Sequence, residues 1–359
     1  MKVLAVTEHS DLPETHQLIG LQDSGLLIEV MCADDAPHRQ KLVDAGMTIH
    51  SLQLRGRFDK AGAATIRQRL LEGQFDILHA FNNKAIGNAL IASKKLPVKL
   101  IAYRGIEANV SVFDPVSWAT YLHPRVDKIV CVADAIRRYF VRMQFLWWRF
   151  PKDKAITIYK GHDLNWYTAP SVPRSVLGLP EDGFVVGCTV NERPRKGLPY
   201  LIEAAKHLPQ DANIHFILIG KINGEKTIKS IQNSPAKDKI HLAGFRKDAP
   251  QVLAACDACI LTSLRREGLP KGIIEGMVYG VTPIVTDSGG SPELIESNKS
   301  GLIISPGSAQ CIADAIVRLY NDRDNCRRMG EEARQRIQRD FHASATVKQT
   351  LEVYTQLLP

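Results

Sequence analysis

The chain has 359 residues, of which 45% are hydrophobic and 23% are charged, and its formal net charge at pH 7 is +8. These proportions are typical of a folded globular protein and exclude a disordered, collagen-like or coiled-coil chain, while the length suits two domains. No apolar run approaches the roughly 18 residues of a membrane-spanning helix, and the opening residues lack the apolar core of a signal peptide, so we expect a cytoplasmic location. The seven cysteines lie scattered in apolar segments, which indicates small buried hydrophobic residues rather than a disulfide framework.

Short apolar runs rich in β-forming residues alternate with helical segments along the first half of the chain. This alternation predicts a parallel sheet covered by helices, and therefore a first α/β domain over residues 1–167. The predicted strands are 3–6, 26–31, 48–52, 76–80, 98–103, 128–132 and 155–159.

A stretch rich in Pro, Ser and Gly, 168–183, separates this series from a second one, so we predict a second α/β domain over 168–342. Its predicted strands are 184–190, 214–219, 240–242, 258–262, 282–286 and 302–304. The last segment, 343–359, is apolar at helical spacing, and we expect this helix to return to the first domain. The predicted fold class is therefore α/β, with two Rossmann-like doubly wound parallel sheets facing a cleft, where ligands of such folds bind.

The most informative segment runs from Cys256 to Ile295 and reads as strand, loop, helix, strand, Gly-rich loop, helix. It contains E-G-L-P-K-G-I-I-E-G, in which Glu267 falls in the loop after the strand and Glu275 falls about two turns into the following helix. Carboxylates accept hydrogen bonds from sugar hydroxyls, and the start of a helix presents free N–H groups to phosphate. Two acids that bracket a helix start indicate a ligand with a polyol at each end and phosphate between them, which describes a nucleotide sugar.

A second motif, R-P-R-K-G, follows the first strand of the second domain. It places Arg193, Arg195 and Lys196 in a strand-to-helix loop beside Gly197. Fixed cations at that edge of the sheet would stabilise the charge that develops on a departing diphosphate.

Together these two segments resemble the signature of the retaining glycosyltransferases of family four, which have GT-B architecture. The resemblance implies a nucleotide donor, most simply a UDP-sugar, bound mostly by the second domain, with no metal or other cofactor required. It also implies transfer with retention of anomeric configuration and no protein nucleophile. The residues that it points to are Glu267, Arg193 and Lys196 for catalysis and Glu275, Gly268, Leu269, Pro270, Lys271, Gly272, Phe245 and Arg246 for the donor. Within this set Glu275 would hold the ribose hydroxyls, Glu267 the transferred sugar, and Phe245 and Arg246 would lie near the base.

The chain departs from the family pattern at three places. Asn191 occupies the position five residues before the lysine where the family usually has an arginine, so either Arg193 substitutes for it or the contact is lost. The Gly-Gly loop expected after the first strand is absent. Arg104 follows the fifth strand where many members carry a histidine, and we predict that it binds the acceptor together with Asn83.

Residues 137–160 carry seven Lys or Arg against one acid, and six aromatic residues are interleaved with the cations over 137–152. Such a pattern is typical of helices that lie in a membrane interface, and it would draw the protein to anionic lipid and a lipid-linked or lipopolysaccharide acceptor. In the alternative interpretation, the aromatic side chains pack beneath the domain linker while the cations stay solvated. Nucleic acid is a poorer explanation of the charge, because no recognised nucleic-acid module is present.

Two other function classes stay open at this point. A GT-B nucleotide-sugar epimerase or phosphorylase would need acid and base groups, for which His9, His16 and His79 are the candidates. A nicotinamide-dependent oxidoreductase, or a non-catalytic sugar-binding protein, would use the same sheets, but no G-x-G-x-x-G fingerprint follows the first strand of either domain.

Overall fold

The computed structural model describes residues 1–358, which divide into two compact units. Unit 1 comprises residues 1–161 together with the chain from 341 onward, and unit 2 comprises residues 162–340. The predicted boundaries at 167/168 and 342/343 therefore shift by a few residues. The cause is aromatic packing: His162 stacks on Tyr167, which lies edge-on to Tyr279 of unit 2, whereas Phe341 packs edge-on against Tyr159 of unit 1.

Unit 1 is built on a parallel sheet in the order β3-β2-β1-β4-β5-β6-β9. Its strands are β1 (Lys2–Val6), β2 (Leu27–Cys32), β3 (Thr48–Ser51), β4 (Ile77–Ala80), β5 (Lys99–Arg104), β6 (Lys128–Cys131), β7 (Gln144–Phe145), β8 (Trp148–Arg149) and β9 (Ala155–Thr157). Its helices are α1 (Leu12–Asp23), α2 (Arg39–Asp44), α3 (Lys60–Gly73), α4 (Asn83–Ala92), α5 (Pro115–Trp118) and α6 (Asp134–Val141). Side chains of Asp11, Asp59 and Asn82 cap α1, α3 and α4, so these helices begin where the sequence supplies an oxygen acceptor.

The strands β7 and β8 form a separate antiparallel hairpin and take no part in the large sheet. The sequence interpretation treated the basic aromatic segment as helix-like. Only its first part is α-helical: α6 ends at Val141, the chain then turns back in the hairpin, and Lys152–Lys154 form a short 3-10 turn.

Unit 2 is built on a parallel sheet in the order β12-β11-β10-β13-β14-β15. Its strands are β10 (Phe184–Thr189), β11 (Ile214–Ile219), β12 (Ile240–Gly244), β13 (Ala258–Leu261), β14 (Thr282–Thr286) and β15 (Leu302–Ile304). Its helices are α7 (Leu198–Ala204), α8 (Glu225–Gln232), α9 (Ala249–Leu253), α10 (Lys271–Val278), α11 (Ala309–Asn321) and α12 (Arg323–Asp340). Apolar side chains are buried on both faces of the sheet, as expected of parallel strands covered by helices.

The last helix, α13 (Ala343–Leu357), packs on α1 of unit 1, as predicted. Gly20 allows the close approach, because a Cβ atom there would lie 2.7 Å from a methyl carbon of Val347. Gln17 donates a hydrogen bond to Thr350 across the contact at 2.9 Å, and Tyr354 is fully buried. All seven cysteines are free and all but Cys311 are buried, which agrees with their interpretation as core residues.

Candidate functional site

The sheet of unit 2 has a topological switch point between β10 and β13, since the chain runs outward from β10 through β11 and β12 and then returns to β13. Ligands of such sheets bind in the crevice outside the carboxyl ends of the strands that flank this point. The loop after β10 carries R-P-R-K-G, and the loop after β13 carries Glu267. The topology therefore brings the two sequence motifs together.

An ion pair joins these two loops. The Lys196 ammonium lies 2.7 Å from a carboxylate oxygen of Glu267, whose side chain is only 7% exposed. Arg195 forms an ion pair with the same oxygen at 3.7 Å and donates a hydrogen bond to the carbonyl of Arg266. A nearly buried carboxylate is thus held beside two cations at the strand edge, which provides fixed positive charge for a ligand phosphate.

The backbone around Glu267 is held in a strained form. Arg266 has a φ of 69°, a left-handed conformation that is unfavourable for a residue with a Cβ atom. On the opposite side, the Gly-rich loop after β14 contacts the backbone of Glu267. The Gly290 N–H donates to the Glu267 carbonyl, and a Cβ on Gly289 would lie 2.2 Å from that oxygen. Only glycine fits at Gly289, which also has a φ of 57°, so this loop fixes the position of the glutamate.

A cavity of about 560 Å³ opens beside the ion pair. It is lined by Thr189, Val190, Asn191, Lys196, Ile219, Gly220, Lys221, Phe245, Arg246, Ala249, Lys271, Gly272 and Glu275. The volume lies within the usual range for small-molecule sites, and the lining comes from the ends of β10, β11 and β12 and the start of α10.

The start of α10 forms one wall of this cavity. Pro270 is the N-cap residue and no side chain caps the helix, so its first N–H groups face the site with the positive end of the helix dipole. Gly272 brings the helix close to β10, because a Cβ there would lie 1.8 Å from the hydroxyl oxygen of Thr189. Glu275 is buried one turn further on and pairs with Lys271 at 3.3 Å.

The opposite wall carries an aromatic ring and a second ion pair. The Phe245 ring is 67% exposed, and the Lys221 ammonium lies 5.9 Å from its centre. Arg246 pairs with Asp248 at 2.6 Å, and this hydrogen bond lowers the pKa of the Asp248 carboxyl. An exposed ring in such a wall suits stacking with a planar base.

The structure brings most of the predicted donor residues to this one site. Lys196, Lys271, Gly272, Glu275, Phe245 and Arg246 line the cavity, Glu267 is bonded to Lys196, and Gly268, Leu269 and Pro270 form the connection from Glu267 to α10. Arg193 does not join them: it is exposed at the start of its loop, and the arginine beside Glu267 is Arg195. The three-residue helical turn Pro194–Lys196 accounts for the difference, because it carries Arg195 and Lys196 toward β13 and leaves Arg193 outside.

The predicted acceptor pair lies in unit 1, and its two side chains are joined by a hydrogen bond. Arg104 is buried, donates to the carbonyls of Ile106 and Ala108 and to the Asn83 side chain, and stacks on Tyr121. Its donors therefore hold the loop after β5, while Asn83 also accepts from the Tyr121 hydroxyl and lines a small cavity. The binding of an acceptor by this pair stays a prediction. Among the histidines considered for acid–base chemistry, His79 is fully buried and hydrogen-bonded to Tyr354.

Sequence reasoning missed seven residues of the cavity wall, which are Thr189, Val190, Asn191, Ile219, Gly220, Lys221 and Ala249. The dipeptide Gly-Lys directly after a predicted strand could have indicated this part of the wall. The structure requires glycine there, because a Cβ on Gly220 would lie 1.9 Å from the carbonyl of Val190. Within residues 1–358, no group of three or more His, Cys, Asp or Glu side chains is placed to hold a metal ion.

Two parallel-sheet units, one of them with a cation-lined cavity at its switch point, define the class of the fold as GT-B. The chain belongs to glycosyltransferase family four: the model for Glycosyltransferase Family 4 matches residues 16–166, and the model for Glycosyl transferases group 1 matches residues 173–336.

Individual relatives are distant. The amylovoran biosynthesis glycosyltransferase AmsK of Erwinia amylovora is 28% identical over 172 residues, which cover 45% of this chain and 42% of the relative. The UDP-Gal:alpha-D-GlcNAc-diphosphoundecaprenol alpha-1,3-galactosyltransferase of Escherichia coli is 26% identical over 215 residues, which cover 57% of this chain and 55% of the relative. This chain thus spans about half the length of the curated relatives it matches. The crystal structure of Anabaena HepE in complex with UDP-glucose has the same fold, with a TM-score of 0.81 at 23% identity over 99% of this chain and 100% of that one.

Proposed function

We propose that the protein transfers a sugar from a nucleoside diphosphate, most simply UDP, to a glycan, lipopolysaccharide or lipid-linked acceptor, with retention of anomeric configuration. The observation that carries this proposal is the Lys196–Glu267 ion pair at one end of a cavity whose other walls carry Glu275 and the exposed ring of Phe245. A sugar, a diphosphate, a ribose and a base need these groups in this order.

The proposed chemistry uses the cations to stabilise the leaving group. The bond from the sugar C1 to the phosphate oxygen breaks, the acceptor oxygen bonds to C1 on the same face, and the acceptor proton passes to the departing phosphate. Lys196, Arg195 and the first N–H groups of α10 would stabilise the negative charge on that phosphate. Glu267 would accept a hydrogen bond from a sugar hydroxyl and Glu275 from the ribose, and no protein nucleophile is needed.

The acceptor class follows from two supports. The relative from E. coli is named for a galactose donor carried by UDP and an acceptor carried on diphosphoundecaprenol. The basic aromatic stretch 137–160 would suit work at an anionic membrane surface, which we propose to be the cytoplasmic face of the cell membrane. No helix within residues 1–358 combines the length and the hydropathy needed to cross a bilayer.

The direct test is mass-spectrometric detection of product from a panel of nucleotide sugars and cell-envelope extract, with and without a metal chelator. We expect a product whose mass rises by one sugar residue, unchanged by the chelator. The Glu267→Gln variant should lose nearly all transfer and keep its binding of UDP, whereas Glu203→Gln, on the exposed side of α7, should leave both unchanged. Turnover of the nucleotide sugar to an epimer without acceptor would contradict the proposal, as would normal transfer by Glu267→Gln.

A further inference from the structure

The β7–β8 hairpin of unit 1 presents an apolar tip. Its two-residue turn consists of Leu146 and Trp147, whose side chains are 72% and 88% exposed, and Phe145 before them is 40% exposed. Phe113, 79% exposed, lies edge-on to Phe145 with 5.4 Å between the ring centres. Single exposed apolar residues are ordinary, but four large ones in one patch indicate an interaction site.

The base of the same hairpin is firmly packed. Trp148 lies against Trp118 with 4.7 Å between the ring centres, and the buried Phe150 packs on Phe140 of α6. The Phe150 N–H also donates to the carbonyl of Met143. The aromatic residues therefore divide by position: those at the base pack against other rings of unit 1, and those at the tip are exposed.

The residues of the turn differ from those that tight hairpin turns usually contain. Tight hairpin turns favour Asn, Asp or Gly, which tolerate positive φ, yet here Leu146 adopts a φ of 52°. The conformation points the side chains of Leu146 and Trp147 into solvent at a local energetic cost, which an apolar environment around the tip would offset.

The charges around the tip identify that environment. The segment from Arg142 to Lys152 contains three cations and no acid. Arg142, Arg149 and Lys152 are exposed, and none of the carboxylates of residues 1–358 forms an ion pair with them. In contrast, Arg137 and Arg138 of α6 both pair with Asp134. Unpaired cations beside an exposed Trp match the headgroup region of an anionic bilayer, where indole rings reside and lysine and arginine meet lipid phosphate.

We propose that the tip of the β7–β8 hairpin, Phe145–Trp147 with Phe113 beside it, inserts into the headgroup region of an anionic lipid bilayer while Arg142, Arg149 and Lys152 contact the lipid phosphates. The biological purpose of this contact rests on the proposed function, since a lipid-linked acceptor would be met at that surface. The contact itself is independent of turnover and can be measured without it.

The test is sedimentation of the full chain with vesicles of phosphatidylcholine alone and of phosphatidylcholine mixed with phosphatidylglycerol. We expect binding to the mixed vesicles only, and a loss of about tenfold or more in partitioning for the double variant Leu146→Ser/Trp147→Ser. Arg149→Gln/Lys152→Gln should weaken binding and flatten its dependence on salt. The matched control, Leu27→Ser/Val176→Ser, removes two apolar side chains that are 66% and 69% exposed elsewhere and should bind as the parent does.

Three outcomes would overturn the proposal: no binding of the parent to mixed vesicles, unchanged binding of the tip variant, or equal loss in the control. Loss of a dimer in the tip variant, without vesicle binding by the parent, would instead assign the patch to a second copy of the chain. UDP binding, measured in parallel, should be the same in the parent and the tip variant. A chain that binds vesicles through the tip but transfers no sugar would contradict the proposed function and leave this inference intact.

Discussion

The ammonium of Lys196 contacts the Glu267 carboxylate in the free protein. By our proposal it also binds a phosphate when the donor is present. Because the Glu267 side chain is only 7% exposed, an unpaired charge there would be costly, and Lys196 neutralises it. The same contact keeps the lysine at the strand edge before any ligand arrives. Preorganised charge of this kind needs little rearrangement during the reaction.

We expect Lys196→Ala to lose transfer and also to destabilise unit 2, by up to about 3 kcal/mol, since Arg195 at 3.7 Å compensates only in part. The double variant Lys196→Ala/Glu267→Gln should regain most of the stability because no buried charge is left, and it should stay inactive. Urea unfolding and transfer rates of the four proteins in this cycle separate the two effects. Equal stability of the single and double variants would contradict the pairing.

The neighbouring arginines provide a second comparison at the same scale. Arg195 lies beside Glu267 and bonds the carbonyl of Arg266, whereas Arg193 is exposed two positions earlier. We therefore expect Arg195→Ala to lower kcat/KM for the donor by about tenfold or more, and Arg193→Ala to change it by less than about threefold. The two variants have the same change of charge, so each controls for the other. A larger effect of Arg193→Ala would restore the interpretation made from the sequence.

At the scale of elements, the regular strands were accessible from the sequence and the irregular contacts were not. Each predicted strand lies within two residues of an observed one, because parallel strands buried on both faces give continuous apolar runs. The two motif loops were predicted to be neighbours for a similar reason. The carboxyl ends of parallel strands lie at the same edge of a sheet, so loops that follow β10 and β13 bring Lys196 and Glu267 to one edge. Arg104 is an example of a contact that could not be predicted. No local sequence pattern indicates that its guanidinium donates to the carbonyls of its own loop.

The β7–β8 hairpin shows the same limit in another form. Its residues alternate between cations and aromatic rings, which fits a helix lying in an interface as well as a hairpin. The deciding contacts are the packing of Trp148 on Trp118 and of Phe150 on Phe140, and they involve residues distant in sequence. Sequence periodicity carries no information on such contacts, so the conformation was missed although the composition was recognised.

The contact between β4 and α13 contains a buried histidine whose titration we expect to affect stability. His79 is buried beneath the helix with only a hydrogen bond to Tyr354, and burial lowers the pKa of His79 from its usual value near 6.5 to about 3. Between these values the unfolded chain binds a proton that the folded protein does not, so the stability of unit 1 falls as the pH drops below 6.5, by up to about 1.4 kcal/mol per pH unit. His79→Gln removes this titration and keeps a group that can bond Tyr354.

We expect the melting temperature of the parent to fall more between about pH 7.5 and about pH 5 than that of His79→Gln. This interval spans the titration of an ordinary histidine. His9→Gln, at a histidine that is about half exposed, should follow the parent. Parallel curves for the parent and His79→Gln would show that the histidine is not held neutral in the core.

At the scale of the whole molecule, unit 2 is continuous in sequence, whereas unit 1 is made of two separate segments of the chain. Unit 2 is one continuous segment with its own core, and it contains every residue that lines the cavity. Unit 1 is interrupted: α13 supplies the buried Tyr354 to its core and Thr346 to the backbone of Gly161 and Tyr159. We therefore expect residues 162–340 to fold alone, whereas residues 1–161 without α13 should fold only weakly.

Isolated unit 2 should show a cooperative thermal transition and bind UDP with a Kd within about tenfold of the full chain, because all the proposed donor contacts are internal to it. It should transfer no sugar to an acceptor. Calorimetric titration with UDP tests the first expectation, and the Glu275→Gln variant of the same segment controls for binding elsewhere, since it should bind more weakly by roughly 10-fold. If unit 2 folds and yet fails to bind UDP while the full chain binds it, groups from unit 1 must contribute to the donor site, and the assignment of that site to the cavity of unit 2 alone would be wrong.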